Sequence, residues 1–146
     1  MPTKKKARAR TKKPFDVKTV KQVMQKQVQA AHLTTKADVI ASLMIEGFGA
    51  VPVVDSKDKL LGIVSEHDLL AAMDDGHKLA AVTAGDIMMY NPYSIRPETT
   101  LSTLVHVLRA SDLIRVPVVD AKDKLVGIIA RRDILRTYLA AGRAGC

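Results

Sequence analysis

The stretch VPVVDSKDKLLGIVSEHDLL, residues 51–70, returns 65 positions later as VPVVDAKDKLVGIIARRDIL, residues 116–135. The two stretches are identical at 13 of 20 positions. Internal repetition indicates one structural unit that is used twice and buries its hydrophobic face against its copy. Two units related by a pseudo-two-fold axis leave a cleft between them, which is a natural place for a ligand.

Each copy predicts the element order strand, helix, strand, strand, helix. In the second copy, apolar residues recur at helical spacing after Thr100, which suits the N-cap of a helix. Two β-branched runs separated by a polar turn then predict an antiparallel hairpin. The predicted segments are a lead strand at 93–95, a helix from 101 to about 112, strands at 116–119 and 125–129, and a closing helix from about 131.

The first copy repeats this order, and the whole chain predicts an α+β fold. Its hairpin strands are expected at 51–55 and 60–65, and its lead strand at 28–33, where the alternation of apolar residues is poor. Short helices at 20–24 and 84–88 lead into the two copies. The predicted domains are a basic tail at 1–15, repeat 1 at 16–78, repeat 2 at 79–141 and a C-terminal tail at 142–146.

Composition favours a globular protein of the cytoplasm. Of the 146 residues, 47% are hydrophobic, which argues against general disorder. No apolar run approaches the ~20 residues of a membrane span, and no apolar segment follows the basic N-terminus as in a secretory signal. The single cysteine, Cys146, cannot form an internal disulfide, which fits a reducing compartment.

Positive charge is concentrated at the N-terminus. Residues 4–13 hold seven Lys or Arg and no acid, which leaves 16 basic against 15 acidic residues elsewhere in a chain of net charge +8. Such a segment is expected to be disordered and to bind nucleic acid or an acidic partner through a salt-sensitive attraction. A purely solubilising tail is the equal alternative.

The order and spacing of the motifs resemble the cystathionine-β-synthase (CBS) domain. The resemblance covers roughly residues 17–140 and implies two repeats packed through their sheets into one pair, often called a Bateman module. It also implies a stand-alone regulatory protein without catalysis and a homodimer of two pairs in a flat disc. The matching motifs are 51–55, 61–65 and 68–70 in the first copy, and 86–88, 91–92, 99–101, 116–120, 125–129 and 133–135 in the second.

The resemblance implies a nucleotide site at the start of each closing helix. In the family, a small hydroxyl residue and an aspartate three positions on hold the ligand, and the first copy has Ser65 and Asp68 there, with His67 between them. A carboxylate suits the paired hydroxyls of a ribose, and the Ser hydroxyl and helix amides suit a phosphate. The same Ser and Asp equally form a capping box worth ~1 kcal/mol that needs no ligand.

The second copy departs from this pattern because Ala130 replaces the serine while Asp133 is retained. Arg131 and Arg132 place two guanidinium groups beside the expected phosphate position, although both are equally explained as solvated surface charges. In the family, each aspartate faces the lead strand and the residues before the strand proline of the other repeat. The resemblance therefore groups Asp133 with Ala30, His32 and Ala50, and Asp68 with Ile95, Pro97 and Arg115.

The residue spacing excludes several more specific catalytic and metal-binding sites. Residues 55–66 have the length of a calcium loop, but Leu60 stands where that loop requires glycine. Ser65, His67 and Asp68 are too close in sequence to converge as a catalytic triad. The four histidines lack metal-ligand spacing, and the chain has no Gly-rich phosphate loop. The residues therefore predict no catalytic and no metal site.

The resulting hypothesis is a regulatory CBS pair that binds AMP, ADP or ATP between its repeats and responds by changing its shape or its binding to an unknown regulated protein. Mg²⁺ is a candidate companion ion of the nucleotide. One alternative is a ligand-free dimeric scaffold whose basic tail docks nucleic acid or an acidic protein. Another is a sensor of S-adenosylmethionine or a dinucleotide.

Overall fold

The computed structural model describes residues 17–144. The basic tail predicted for residues 1–15 lies outside the described residues, as does Cys146. The helices and strands, in chain order, are α1 (Val20–Val23), α2 (Ala37–Ile45), β1 (Ala50–Val54), β2 (Leu60–Ser65), α3 (Glu66–Asp74), α4 (Ala84–Ile87), β3 (Met89–Tyr90), α5 (Leu101–Ala110), β4 (Arg115–Val119), β5 (Leu125–Ala130) and α6 (Arg131–Ala144), with a single 3₁₀ turn at Leu79–Ala81.

The repeated sequence folds into two equivalent β-hairpins. Strand β1 pairs antiparallel with β2, β4 pairs antiparallel with β5, and both pairings shift register at the same place, between the two last valines of the first strand. In each turn, one aspartate Oδ1 accepts two backbone N–H bonds at 2.8 and 3.0 Å, Asp55 from Lys57 and Lys59 and Asp120 from Lys122 and Lys124. These bonds lower the pKa of both Asp55 and Asp120.

The two hairpins meet at their turns. The backbone N–H of Leu60 donates to the Asp123 carbonyl at 3.1 Å, and that of Leu125 donates to the Asp58 carbonyl at 3.0 Å. Asp58 and Asp123 also share the same left-handed backbone, with φ of 65° and 64°. The reciprocal bonds confirm the predicted packing of tandem repeats about a pseudo-two-fold axis.

The short lead-in helices are exchanged between the two cores. Val20 of α1 is fully buried in the core that contains Leu101, Leu104 and Ile129 of the second repeat. Ala84 of α4 is fully buried in the core of the first repeat. Each repeat is therefore completed by a segment that precedes the other one in sequence.

Two glycines make this exchange sterically feasible. A Cβ on Gly127 would lie 2.5 Å from the Met24 sulfur, and a Cβ on Gly62 would lie 2.6 Å from the Met88 sulfur. Beside them, Gln25 forms a bridge to Ile128, and Met89 pairs with Ile63. The chain entering each repeat thus runs directly beside the glycine strand of the other repeat.

The lead strands are shorter than predicted. The segment expected at 28–33 makes one parallel bridge, Ala31 to Val53, and the segment at 93–95 makes one, Ile95 to Val118. Ala31 and Ile95 are each buried, while the residues on both sides of them are more exposed. One buried side chain per segment supports a single bridge and no longer ladder, which agrees with the poor alternation of the first segment.

Among residues 17–144, no helix combines the length and the hydropathy required to cross a bilayer. The same residues contain no group of three or more His, Cys, Asp or Glu side chains placed to hold a metal ion.

Candidate ligand-binding clefts

Two clefts lie between the repeats, at equivalent places and with unequal volumes. The large cleft, about 340 Å³, lies at the start of α3, and the small cleft, about 60 Å³, lies at the start of α6. The large cleft is lined by Gly49, Ala50, Ile63, Ser65, Glu66, His67, Met89, Pro92, Tyr93, Asp112, Leu113, Ile114, Arg115 and Pro117. The small cleft is lined by Gln25, Gln27, Val28, Gln29, Gly47, Phe48, Gly49, Ala50, Arg115, Ile128, Ala130, Arg132 and Asp133.

The polar end of the large cleft is the first turn of α3. Ser65 is the N-cap, and its hydroxyl accepts the backbone N–H of Asp68 at 3.3 Å. Asp68 Oδ2 in turn accepts from the Ser65 backbone N–H at 2.8 Å and from the Ser65 hydroxyl at 3.0 Å. The capping box expected from the sequence is therefore formed. Within residues 17–144, Asp68 Oδ1 receives no hydrogen bond, so one carboxylate oxygen stays available to a ligand.

The opposite wall of the large cleft is apolar and comes from segments of the second repeat. Met89, Pro92 and Tyr93 follow α4, and Leu113 and Ile114 precede β4. Tyr93 and Ile114 are 47% and 55% exposed, so within residues 17–144 no layer of protein covers this wall. An apolar wall opposite a polar helix start has the mixed character of a small-molecule site.

The small cleft contains a carboxylate whose oxygens are both occupied. Asp133 is 3% exposed, and its Oδ2 accepts the Ala130 backbone N–H at 2.8 Å. Its Oδ1 accepts from Gln25 Nε2 at 3.3 Å and from Arg136 Nη1 at 3.0 Å. Ala130 has no hydroxyl to donate to Asp133 as Ser65 donates to Asp68. The Gln25 amide, from the segment after α1, is a donor in its place. The protein itself thus satisfies the acid that would face a ligand here.

The three arginines in the first two turns of α6 make different contacts. Arg131 is exposed, and its Nε donates to the Leu113 carbonyl at 2.8 Å, which holds one end of the wall of the large cleft. Arg132 is exposed and lines the small cleft. Arg136 forms an ion pair with Asp133.

The structure brings together some of the residues that the family resemblance grouped. Ala50 and Asp133 line the small cleft with Ala130 and Arg132, and Arg115 lines the large cleft with Ser65 and His67. Asp68 lies one residue beyond the lining of the large cleft, on the same helix turn.

Besides Asp68 and Arg131, four further predicted residues lie outside both linings. Ala30 lines a separate surface cavity beside Lys26. His32 is exposed, and its backbone N–H donates to the Thr35 hydroxyl at 3.0 Å. Ile95 is 6% exposed in the second core because its bridge to β4 directs its side chain inward. Pro97 lines neither cleft. Contacts of these four residues with a nucleotide stay predictions.

Sequence reasoning missed the segments directly after the lead-in helices. Gln25, Gln27 and Val28 line the small cleft, and Met89, Pro92 and Tyr93 line the large one. An alignment of the repeats contains a signal for these segments, because they correspond to each other at an offset of 64 residues. In the fold, each segment lies beside the glycine-containing strand of the opposite repeat.

The protein is therefore a duplicated α+β module with two clefts of unequal size beside its pseudo-two-fold axis. The family model of the CBS domain matches residues 20–75 and 84–140. A CBS domain-containing protein of Dictyostelium discoideum is 31% identical over 127 residues, which cover 80% of this chain and 88% of that protein. The chain therefore belongs to the CBS domain family.

Longer relatives and solved structures agree. The chloroplastic CBSX1 of Arabidopsis thaliana is 31% identical over 140 residues, and the chain covers 59% of its length. The structure of CBSX2 in complex with AMP has a TM-score of 0.77 and 32% identity, covering 86% of this chain and 98% of that one. The CBS pair of MJ0100, in complex with 5-methylthioadenosine and S-adenosylmethionine, has a TM-score of 0.76 and 26% identity over 87% and 98%.

Proposed function

We propose that this chain is a regulatory module that binds an adenine nucleotide, AMP, ADP or ATP, in the large cleft. One observation carries the proposal: the 340 Å³ space joins the start of α3, where Asp68 lies one residue beyond the lining, to an apolar wall from the other repeat. A volume of ~300 Å³ or more is typical of small-molecule sites, and the small cleft falls far below it.

Each part of a nucleotide has a suitable partner in the large cleft. The base packs between Ile63 and the wall formed by Met89 and Ile114. The ribose hydroxyls donate to Asp68 Oδ1. The phosphate faces the first N–H groups of α3, because a helix start favours anions.

The relatives support this assignment of ligand class. CBSX2 and the MJ0100 pair were each solved with adenosine-containing ligands. Transferred to this chain, the shared chemistry is an adenosine group held between two repeats. The start of α3 favours a phosphate over the sulfonium of S-adenosylmethionine, because the positive end of the helix dipole attracts anions and repels cations.

A ligand in the large cleft contacts both repeats and therefore favours the arrangement of repeats that fits it. A change in affinity for a regulated protein follows when that protein binds the two arrangements unequally. Binding at this cleft thereby transmits a nucleotide signal without any chemical step.

The outer faces of α3 and α6 suit a second copy of the chain. Leu70 and Leu135, at equivalent positions of the two repeats, are 62% and 64% exposed, and Met73 and Tyr138 are 55% and 52% exposed. Apolar patches of this kind are typical of interfaces. We expect a homodimer in a disc, and Leu135→Glu should shift the mass measured by light scattering from dimer to monomer. A wild-type monomer would contradict this assembly.

Calorimetric titration of the full chain with AMP, ADP, ATP and S-adenosylmethionine tests the function. We expect an adenine nucleotide to bind more tightly than S-adenosylmethionine, and GMP, which differs in the base, to bind at least tenfold more weakly than AMP. Failure of every adenosine ligand to bind below about millimolar concentration would remove the sensor function.

That negative result would favour the scaffold alternative, for which the charge of residues 4–13 is the supporting observation. Deletion of residues 1–13 should abolish salt-sensitive binding to nucleic acid and leave nucleotide affinity unchanged. Binding of S-adenosylmethionine more tightly than any nucleotide would instead favour the second alternative.

A further inference from the structure

Arg115 lies at the boundary between the two clefts. Arg115, Gly49 and Ala50 are the three residues that line both. Ala50 pairs with Ser65 at the start of β1, and Arg115 pairs with Ala130 at the start of β4, so the pseudo-two-fold axis exchanges Ala50 and Arg115. One repeat thus presents a methyl group where the other presents a long cationic side chain.

The guanidinium of Arg115 lies against Gly49. A Cβ added to Gly49 would overlap three atoms of that guanidinium, Cζ, Nη1 and Nη2, so the absence of a side chain at Gly49 provides its place. The two residues before Gly49, Gly47 and Phe48, line the small cleft and not the large one. The head of Arg115 therefore extends across the axis toward the small cleft.

The unequal volumes of the two clefts agree with the difference in size between Ala50 and Arg115. On the large-cleft side the side chain at the equivalent position is that of Ala50, and the space measures about 340 Å³. On the side toward which Arg115 extends, about 60 Å³ remains. The Gln25 amide narrows the small cleft further through its bond to Asp133.

We propose that Arg115 closes the small cleft and so limits the chain to one nucleotide per CBS pair, bound in the large cleft. The inference rests on the proposed function, which it extends by assigning the number of sites to one residue. Arg115→Ala makes this position identical in the two repeats and should open a second site beside Asp133.

The test is the stoichiometry of AMP binding to the full chain, measured by calorimetry and checked by equilibrium dialysis. We expect one AMP per wild-type chain and two per Arg115→Ala chain. Arg109→Ala is the matched control, because Arg109 is an exposed arginine of α5 that lines neither cleft, and it should retain one AMP. Circular dichroism melting of each variant confirms that the compared chains are folded.

Double variants assign the two sites. Arg115→Ala with Asp68→Ala should retain one AMP in the small cleft, and Arg115→Ala with Asp133→Ala should retain one AMP in the large cleft. Loss of the added site in the second double variant and not in the first locates it beside Asp133.

The outcomes separate this inference from the proposed function. Two AMP per wild-type chain, or one AMP for both wild type and Arg115→Ala, would overturn the role of Arg115 and leave the function intact. Binding by Arg115→Ala alone would support Arg115 as the closing residue while removing AMP as the wild-type ligand. No binding by either chain would overturn both.

Discussion

The large and small clefts are built from the same duplicated unit, but the aspartates beside them differ in how many of their carboxylate oxygens accept hydrogen bonds. Asp68 uses one oxygen to cap its own helix and leaves the other open, whereas both oxygens of Asp133 accept donors from Ala130, Gln25 and Arg136. The hairpins beside the two clefts pair in the same register, and the side chains at equivalent positions differ, Ser65 against Ala130 and Ala50 against Arg115. Duplication thus supplied two potential sites, and side-chain divergence left one of them open.

The largest expected effect is on ligand affinity. Asp68→Ala should weaken AMP binding tenfold or more, because it removes the acceptor for the ribose hydroxyls, a loss of about 1.5–3 kcal/mol for a charged hydrogen bond. Asp133→Ala should weaken it by a smaller factor, since the small cleft is closed. Calorimetry of both variants measures the difference, and equal losses would contradict the inequality of the clefts.

Stability should show the reverse order. Asp133→Ala should lower the free energy of unfolding by about 2 kcal/mol, because it leaves the half-buried Ala130 N–H without its acceptor and breaks the bonds from Gln25 and Arg136. Asp68→Ala should cost about 1 kcal/mol through loss of the capping box. Urea titrations followed by circular dichroism provide both values. A larger cost for Asp68→Ala would show that Asp133 is not the structural member of the pair.

A smaller effect is expected from the bond between the lead-in segment and α6. Gln25→Ala should lower stability by about 0.5–1.5 kcal/mol and leave one AMP per chain, because Arg115 still fills the small cleft. Gln27→Ala is the matched control, because Gln27 also lines the small cleft and its side chain makes no hydrogen bond within residues 17–144. A second AMP bound by Gln25→Ala would mean that Gln25, and not Arg115, closes this cleft.

The smallest effect concerns the hairpin turns, where the repeats should be alike. The pKa values of Asp55 and Asp120 are lowered in the folded chain by backbone N–H donors, so their stabilising contribution is present above the unfolded pKa and is lost as the pH falls through the folded one. Asp55→Asn and Asp120→Asn should each reduce the acid sensitivity of unfolding below about pH 4, and by the same amount. Urea titrations across this pH range would detect unequal changes.

Much of the fold was predictable because local patterns and the repeat agreed. The hairpins, their polar turns and the starts of α3 and α6 lie within one or two residues of the predicted positions, since β-branched runs, turn residues and helix caps act over a few residues. The lead strands were predicted too long, because a segment with one buried residue gains a single bridge from its neighbour.

The site was predictable only in part. The aspartates and the serine were identified from their positions in the motif, and Ala50 and Arg115 from the residues before the strand proline. The exchange of α1 and α4 between the cores was not visible in the sequence. It places Gln25 on Asp133 and Met89 beside Ile63, contacts between residues 108 and 26 positions apart in the chain.

The amino-acid sequence alone shows that one unit occurs twice, that each copy ends in a helix starting near an aspartate, and that Arg115 replaces the alanine of the first copy. These properties follow from local periodicity and from alignment of the repeats. Which of the two clefts is open follows from the folded arrangement of the repeats and cannot be read from local patterns. Cleft volume depends on where a side chain extends across the axis, and the conformation of Arg115 follows from its packing against Gly49, 66 positions away in the chain.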